Sequence, residues 1–261
     1  MPIRPNLAKL TVAETALKPR SRTAKILVAI LGLVVFACLL GLGTWQVQRL
    51  HWKESLLQEI TDRHALPPVS LEDILTRVAK GEAVDYRPVT VTGTFDHAKE
   101  RYFLATLNGD PGYHVYTPMT LPDGRILFVN RGFVPMEKAD PATRQSGNPQ
   151  ATVTIMGLAR DRLAAKPSSL VPDNDLAKNI FFWKDLDAMA KSTGYDPSLV
   201  LPLFVDADAT PNPGGFPVGA VTIFDLPNNH LQYAVTWYGL AAALVLVAGV
   251  MLFKGRQSGA R

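Results

Sequence analysis

Two apolar runs decide what this chain can become. Residues 26–43 carry no charged side chain and are prolonged by Thr44, Trp45 and Gln46, and residues 233–253 form a second charge-free run. At about 1.5 Å of rise per residue, each can cross a hydrocarbon core about 30 Å thick, the first with help from its flanks. Such a segment must be helical, because lipid offers no partner to a backbone N–H or C=O. The sequence after the first run, Trp45-Gln46-Val47-Gln48-Arg49, lacks the small residues of a cleavage site, so an uncleaved anchor is expected.

Charge then sets the topology. The formal net charge of +4 conceals basic tails. Six Lys or Arg residues against Glu14 precede the first run, and Lys254, Arg256 and Arg261 follow the second, while the middle of the chain has more acids than bases. Basic flanks stay on the cytoplasmic side, so both termini are expected in the cytoplasm, or in the matrix of a mitochondrion. The high pI is thus a topology signal and gives no reason to expect nucleic-acid binding. Cys38, the only cysteine, lies inside the first run and is expected to be a small helix-packing residue. One cysteine removes intramolecular disulfides, thiol redox pairs and covalent haem attachment through two thiols.

Between the runs the pattern is mostly that of short strands. Trp45 to about His64 reads as a continuation of the first helix, with Trp45, Trp52, Leu56 and Ile60 on one stripe, closed by Pro67-Pro68. Residues 71–80 read as a short helix with Ser70 as N-cap and Gly81 as its stop. Strands are expected over residues 87–95, 101–104, 113–119, 126–133, 152–158, 201–206 and 220–224, with the turn Pro122-Asp123-Gly124 making the clearest hairpin. Pro202 places its strand at a sheet edge, since proline cannot donate to a ladder. Residues 139–150 and 164–178 read as loops, and a late helix runs from Phe182 or Trp183 to Lys191.

The expected fold is an α+β membrane protein: two transmembrane helices flanking a small extracytoplasmic β-barrel-like domain with one or two short helices. Its division is a basic tail over 1–25, a first span over 26–46, a β-rich domain with a juxtamembrane helix over 47–230, a second span over 231–253 and a tail over 254–261.

The candidate site is Asn228-Asn229-His230-Leu231-Gln232-Tyr233-Ala234-Val235-Thr236-Trp237, where the middle region meets the second run. Neutral imidazole is a common axial ligand of haem iron, and His230 is the metal ligand this segment offers. Trp237 returns near the His230 face about 10 Å deeper, with Tyr233 and Ala234 between them. On the first run Arg49 can pair with a carboxylate such as a haem propionate. The plainer readings are an interfacial aromatic belt for His230, Tyr233 and Trp237, and a snorkelling anchor for Arg49. In Asn130-Arg131-Gly132-Phe133, Arg131 can hold an anion or brace a turn. His51, His64, His97 and His114 have no ligand spacing, and no nucleophile elbow, zinc-protease, phosphate-loop or dinucleotide motif occurs. An enzyme is not expected.

These segments resemble the surfeit-locus family of cytochrome c oxidase assembly proteins. The resemblance rests on Gly43-x-Trp45-Gln46-x-x-Arg49-x-x-x-Lys53, Arg87-x-Val89-x-Val91-x-Gly93-x-Phe95, Asn130-Arg131-Gly132-Phe133-Val134-Pro135 and Asn229-His230-Leu231-Gln232-Tyr233-x-x-Thr236-Trp237-Tyr238-Gly239. Many relatives have Trp where this chain has Phe133. The resemblance implies a non-enzymatic assembly factor that binds haem a through His230, near Trp237, and assists its insertion into the oxidase core subunit. It implies as partners the nascent core subunit, haem a synthesis or delivery proteins and membrane lipid. The implied location is the bacterial cytoplasmic membrane with the main domain periplasmic, the mitochondrial inner membrane being the alternative. The rival expectation is a haem-free scaffold for the nascent subunit.

Overall fold

The structure, a computed structural model, describes residues 22–222 and 227–258. They fall into two compact units, one made of residues up to Lys53 and from Asn228 onward, the other of Glu54–Pro227. The protein is a membrane protein of mixed α+β class, with two helices long and apolar enough to cross a membrane. Helix α1 (Arg22–His64) runs through the first apolar stretch and ends in the second unit, and α4 (His230–Ser258) carries the other stretch. Leu56 and Ile60 on α1 are sheltered, while Trp45 and Trp52 are exposed, so the expected stripe is buried only at its C-terminal end. Cys38 also lies on the exposed face rather than at a helix contact.

The second unit is a closed barrel of five strands. β1 (Val69–Ser70) leads into α2 (Leu71–Ala79). The Ser70 and Asp73 side chains cap the first turn of α2 reciprocally, and Gly81 follows it at φ +73°. Then come β2 (Pro88–Phe95), β3 (Arg101–Leu107), β4 (Asp110–Thr120), β5 (Ile126–Pro135), β6 (Val153–Asp161), β7 (Ile180–Phe181), α3 (Leu186–Thr193) and β8 (Val200–Ala207). Pairing runs β2-β6-β8-β5-β4, and β4 returns to β2 through Thr94 opposite Thr120 and Phe95 opposite Met119. Closure leaves the barrel without a free edge, and β1, β3 and β7 extend the sheet outside the ring.

Alternation along these strands builds two apolar layers. Val89, Val91, Met119, Leu127, Val129, Leu203 and Val205 form one cluster, with Leu71 and Ile74 of α2 packed onto it. The opposite faces supply Tyr116, Phe128 and Phe204, which Leu186 and Met189 of α3 cover. β5 is buried on both faces for this reason. Each fully buried Leu, Val or Phe contributes about 1.5–3 kcal/mol relative to exposure.

Three departures from the sequence pattern have physical causes. The strand holding Pro202 lies between β5 and β6 instead of at an edge. Its ladder with β5 slips between the Ile126–Val200 and Phe128–Phe204 pairs, and that irregularity absorbs the missing N–H of Pro202. Helix α3 begins at Leu186 because the Asp185 side chain accepts from the Ala188 N–H, while Ile180 and Phe181 just upstream pair with β3. Residues 220–222 form no strand, Val218 makes an isolated bridge to Phe133, and the rest of the expected last strand lies outside the described residues.

Candidate functional site: the paired ends of the two spans

Among the described residues, two of the places that combine polar side chains with burial bear on a site. The first is built on Asn130-Arg131-Gly132-Phe133. Asn130 donates from Nδ2 to Asp206 Oδ1 and accepts at Oδ1 from the Gly132 N–H. Arg131 and Gly132 stand opposite Val115 alone, a bulge that seats Arg131 among buried partners. Its guanidinium donates to Asn148 Oδ1, the Gly147 carbonyl and Asn212 Oδ1, and lies 4.9 Å from the centroid of the Phe95 ring. Burial pushes it down to about 10, which leaves it cationic at neutral pH. Glu100 is beside it, ion-paired with Arg144. Burial alone would raise the Glu100 carboxyl, but hydrogen bonds from His97 and Arg144 and the charges of Arg144 and Arg131 hold it below the usual range. With its donors taken by loop carbonyls and amides, Arg131 braces the turns around it.

The second place is where α4 begins. His230 is its first residue and half-buried, and its Nδ1 lies 2.7 Å from Oε1 of Gln46 on α1. A carboxamide oxygen can only accept, so Nδ1 carries the proton and donates. Nε2 is left with its lone pair, and among the described residues nothing hydrogen-bonds to it. Gln46 is 8% exposed although it sits at the end of an apolar run.

Neighbouring contacts fix the approach of the two helices. Thr44 Oγ1 donates to the Leu40 carbonyl at 2.9 Å, so the Tyr238 hydroxyl donates to Thr44 across the 3.1 Å between them. Gly43 lies against the Tyr238 ring, and Ala234 and Ala241 are buried. Small residues at such a seam let two backbones come close. Two polar atoms nearby are buried without a hydrogen-bond partner among the described residues, Trp237 Nε1 and Asn228 Oδ1.

The four residues singled out by sequence are distributed unevenly. His230 is joined to the first span through Gln46. Tyr233 is on the same helix but 54% exposed, and Trp237 is half-buried two turns on from His230. Arg49 is exposed, its guanidinium 4.2 Å from the Trp52 ring centroid, and no hydrogen bond or ion pair ties it to His230, Tyr233 or Trp237 among the described residues. Sequence reasoning places Gln46 at the end of the first run and in the shared motif but gives it no role, and it is the residue that meets His230. Its signal was an uncharged amide at the end of the first run, at the same margin that His230 occupies on the second.

A family model described as the SURF1 family matches residues 33–242, from within the first span to within the second. The chain belongs to the SURF1 family. It is 40% identical over 227 residues to Surfeit locus protein 1 of Rattus norvegicus, covering 81% of this chain and 71% of the rat protein. The human protein of that name is 40% identical over 220 residues, covering 78% of this chain and 70% of its own length. A SURF1-like protein of Monosiga brevicollis is 36% identical over 237 residues, 85% of this chain and 86% of the relative. These alignments are long enough to take in most of the barrel as well as membrane helix, so the SURF1 assignment rests on the domain and spans together.

Proposed function

We propose that this protein holds haem a at the membrane surface, with His230 as an axial ligand, and assists its insertion into the core subunit of cytochrome c oxidase. Membership of the SURF1 family implies the coarser part, a role in cytochrome c oxidase assembly. The observation that supports the finer part is the state of His230: its Nδ1 is held by Gln46, and its Nε2 has no partner among the described residues. A ligating histidine characteristically donates its other ring N–H to an outer acceptor, which sets its orientation and tautomer.

The surroundings fit such a group. Haem a, when bound, would supply an iron centre for coordination and a hydrocarbon tail suited to lipid. His230 offers a neutral nitrogen donor, the half-buried Trp237 offers ring surface, and Arg49 offers an exposed cation just beyond the first apolar run of α1. Hand-over requires a complex that can dissociate, and a single protein ligand meets that need. In this reading the termini are cytoplasmic and the barrel faces the periplasm, or the intermembrane space if the membrane is mitochondrial. The role is that of an assembly factor rather than a catalyst, and its partners are the nascent core subunit and the proteins that make or deliver haem a.

The test is the absorption spectrum of the full-length protein purified from cells with ample haem a. A Soret band is expected in the wild type and its loss or shift in His230→Ala; no band, or the same band in both, would sink the proposal. A second reading, a haem-free scaffold for the nascent subunit, draws support from the loop after β6, where Leu163, Leu170 and Leu176 are exposed, Leu170 at 91%. Under it, charged substitutions at those leucines would abolish co-purification of the subunit while His230→Ala would not.

A further inference from the structure

Gln46 presents a problem that its surroundings solve only in part. A primary amide at the end of an apolar run must find partners or lose its hydration without compensation. Its oxygen has one partner, and that partner is on the other span. Gln46 follows Gly43 and Thr44 by less than a turn, and those two meet Tyr238 of α4. The bond to His230 is therefore made only while the two helices are paired at this level.

The bond also has a chemical consequence. A neutral imidazole in water favours the tautomer with its proton on Nε2, which would block that nitrogen as a ligand. An acceptor on Nδ1 reverses the choice, since the hydrogen bond made by one ring nitrogen decides which of the two is protonated. We infer that Gln46 is a positioning residue: it fixes His230 in the Nδ1–H tautomer and so keeps Nε2 open to a metal centre. This rests on the haem reading above for the identity of the centre, but the tautomer is a property of the haem-free protein. The site is thereby divided between the helices, with the second span supplying the donor atom and the first span its orientation. Helix pairing through the Gln46 amide N–H2 would instead donate to Nδ1 and leave the ring proton on Nε2, which separates the two roles.

The experiment uses full-length protein in lipid nanodiscs, labelled with 15N-histidine, and reads the His230 ring nitrogens, assigned by their absence in His230→Ala. Wild type is expected to show the Nδ1–H form without haem. Gln46→Leu keeps the size and apolar fit of the side chain, and it is expected to release the ring to the Nε2–H form or to a mixture. Its affinity for added haem a should fall by about 10–100-fold, the usual effect of removing an outer partner of a metal ligand. Gln46→Glu, measured at pH 8 where the carboxylate accepts, should keep the Nδ1–H form and the affinity, and should lower the reduction potential of the bound haem. That variant guards against a folding defect in Gln46→Leu.

An Nε2–H wild type, or a Gln46→Leu protein with unchanged tautomer and affinity, would overturn the inference. A locked Nδ1–H tautomer that Gln46→Leu releases, in a protein that takes up no haem a, would uphold the positioning role and end the haem reading instead.

Discussion

Gly43 on the first span has the phenol ring of Tyr238 where a side chain would be. A Cβ built there would lie 2.8 Å from the ring Cε1, closer than real carbon contacts allow. The two residues therefore set how near the helices come, and Gln46 reaches His230 less than one turn further along α1. Gly43→Leu is expected to push the spans apart, at a cost of about 1–3 kcal/mol from overpacking. Under the proposed haem reading, binding should fall with it, as expected for His230→Ala. Tyr238→Phe removes only the hydroxyl bond to Thr44, about 0.5–1.5 kcal/mol, and should leave binding nearly intact. Haem titration of both variants in detergent is the check, and equal losses in the two would contradict this account of the seam.

Glu100 and Arg144 form an ion pair with both side chains almost wholly out of water. Removing one partner of a buried pair leaves the other charged and uncompensated, which costs about 3–5 kcal/mol. Glu100 serves more than Arg144, since Thr117 donates to its Oε1 and Arg131 lies near it. Glu100→Ala should thus lower the melting temperature of the purified protein more than any exposed carboxylate does, Asp173→Ala being the comparison. His230, in the other unit, should keep its tautomer in any fraction that remains folded.

Much of the barrel was legible because its signals are local. Pro122-Asp123-Gly124 between two alternating runs could only be a hairpin, and β4 and β5 are that hairpin. What failed depended on partners far away in sequence. Pro202 read as an edge marker because the rule assumes a regular ladder, and only the slipped register with β5 shows where its missing donor goes. Ile180-Phe181 and Val69-Ser70 are too short to show any period and exist because β3 and β2 lie beside them. At the candidate site, the position of His230 could be read from where the apolar run begins. Its partner could not, because which faces of two apolar helices meet is decided by small residues such as Gly43 and Ala234 rather than by polarity. Arg49 drew attention through its charge, yet it stacks on Trp52.

His114 gives the domain a pH dependence with a definite sign. It packs beside Phe103 with ring centroids 6.2 Å apart, and burial lowers it from 6.5 to about 4. Lys184 pushes the same way and Asp206 opposes. Below pH 6.5 the unfolded chain takes up a proton that the folded chain refuses, so the unfolded state binds more protons between about 6.5 and 4. Stability from this group is complete above pH 6.5 and falls as the pH drops toward 4, by at most about 1.4 kcal/mol per pH unit. His114→Gln should melt with a smaller difference between pH 7 and pH 5 than the wild type. An unchanged difference would move the effect to other groups.

Gly132 should be the most sensitive glycine of the barrel. It sits in β5 at φ +119°, beyond the reach of an ordinary L-residue, and a Cβ there would overlap the Val218 carbonyl. That carbonyl accepts from the Phe133 N–H at 2.8 Å, and the Val218 N–H donates back to Phe133 over the same distance. Gly132→Ala therefore meets both backbone strain and a clash, each worth about 1–3 kcal/mol, and must loosen the segment around Val218. Asn212 donates to the Pro217 carbonyl and accepts from Arg131, so loosening this segment also weakens the clamp on Arg131. Two consequences are expected together: a melting temperature lowered by several degrees, and faster amide exchange at Phe133 and Val218 than at Leu127 in the same strand. Because residues from Asn228 onward belong to the other unit, the tautomer of His230 should not change. If Gly132→Ala melted like wild type, the positive φ would not be an obligatory feature of the strand, and the bulge that seats Arg131 would have to tolerate a side chain.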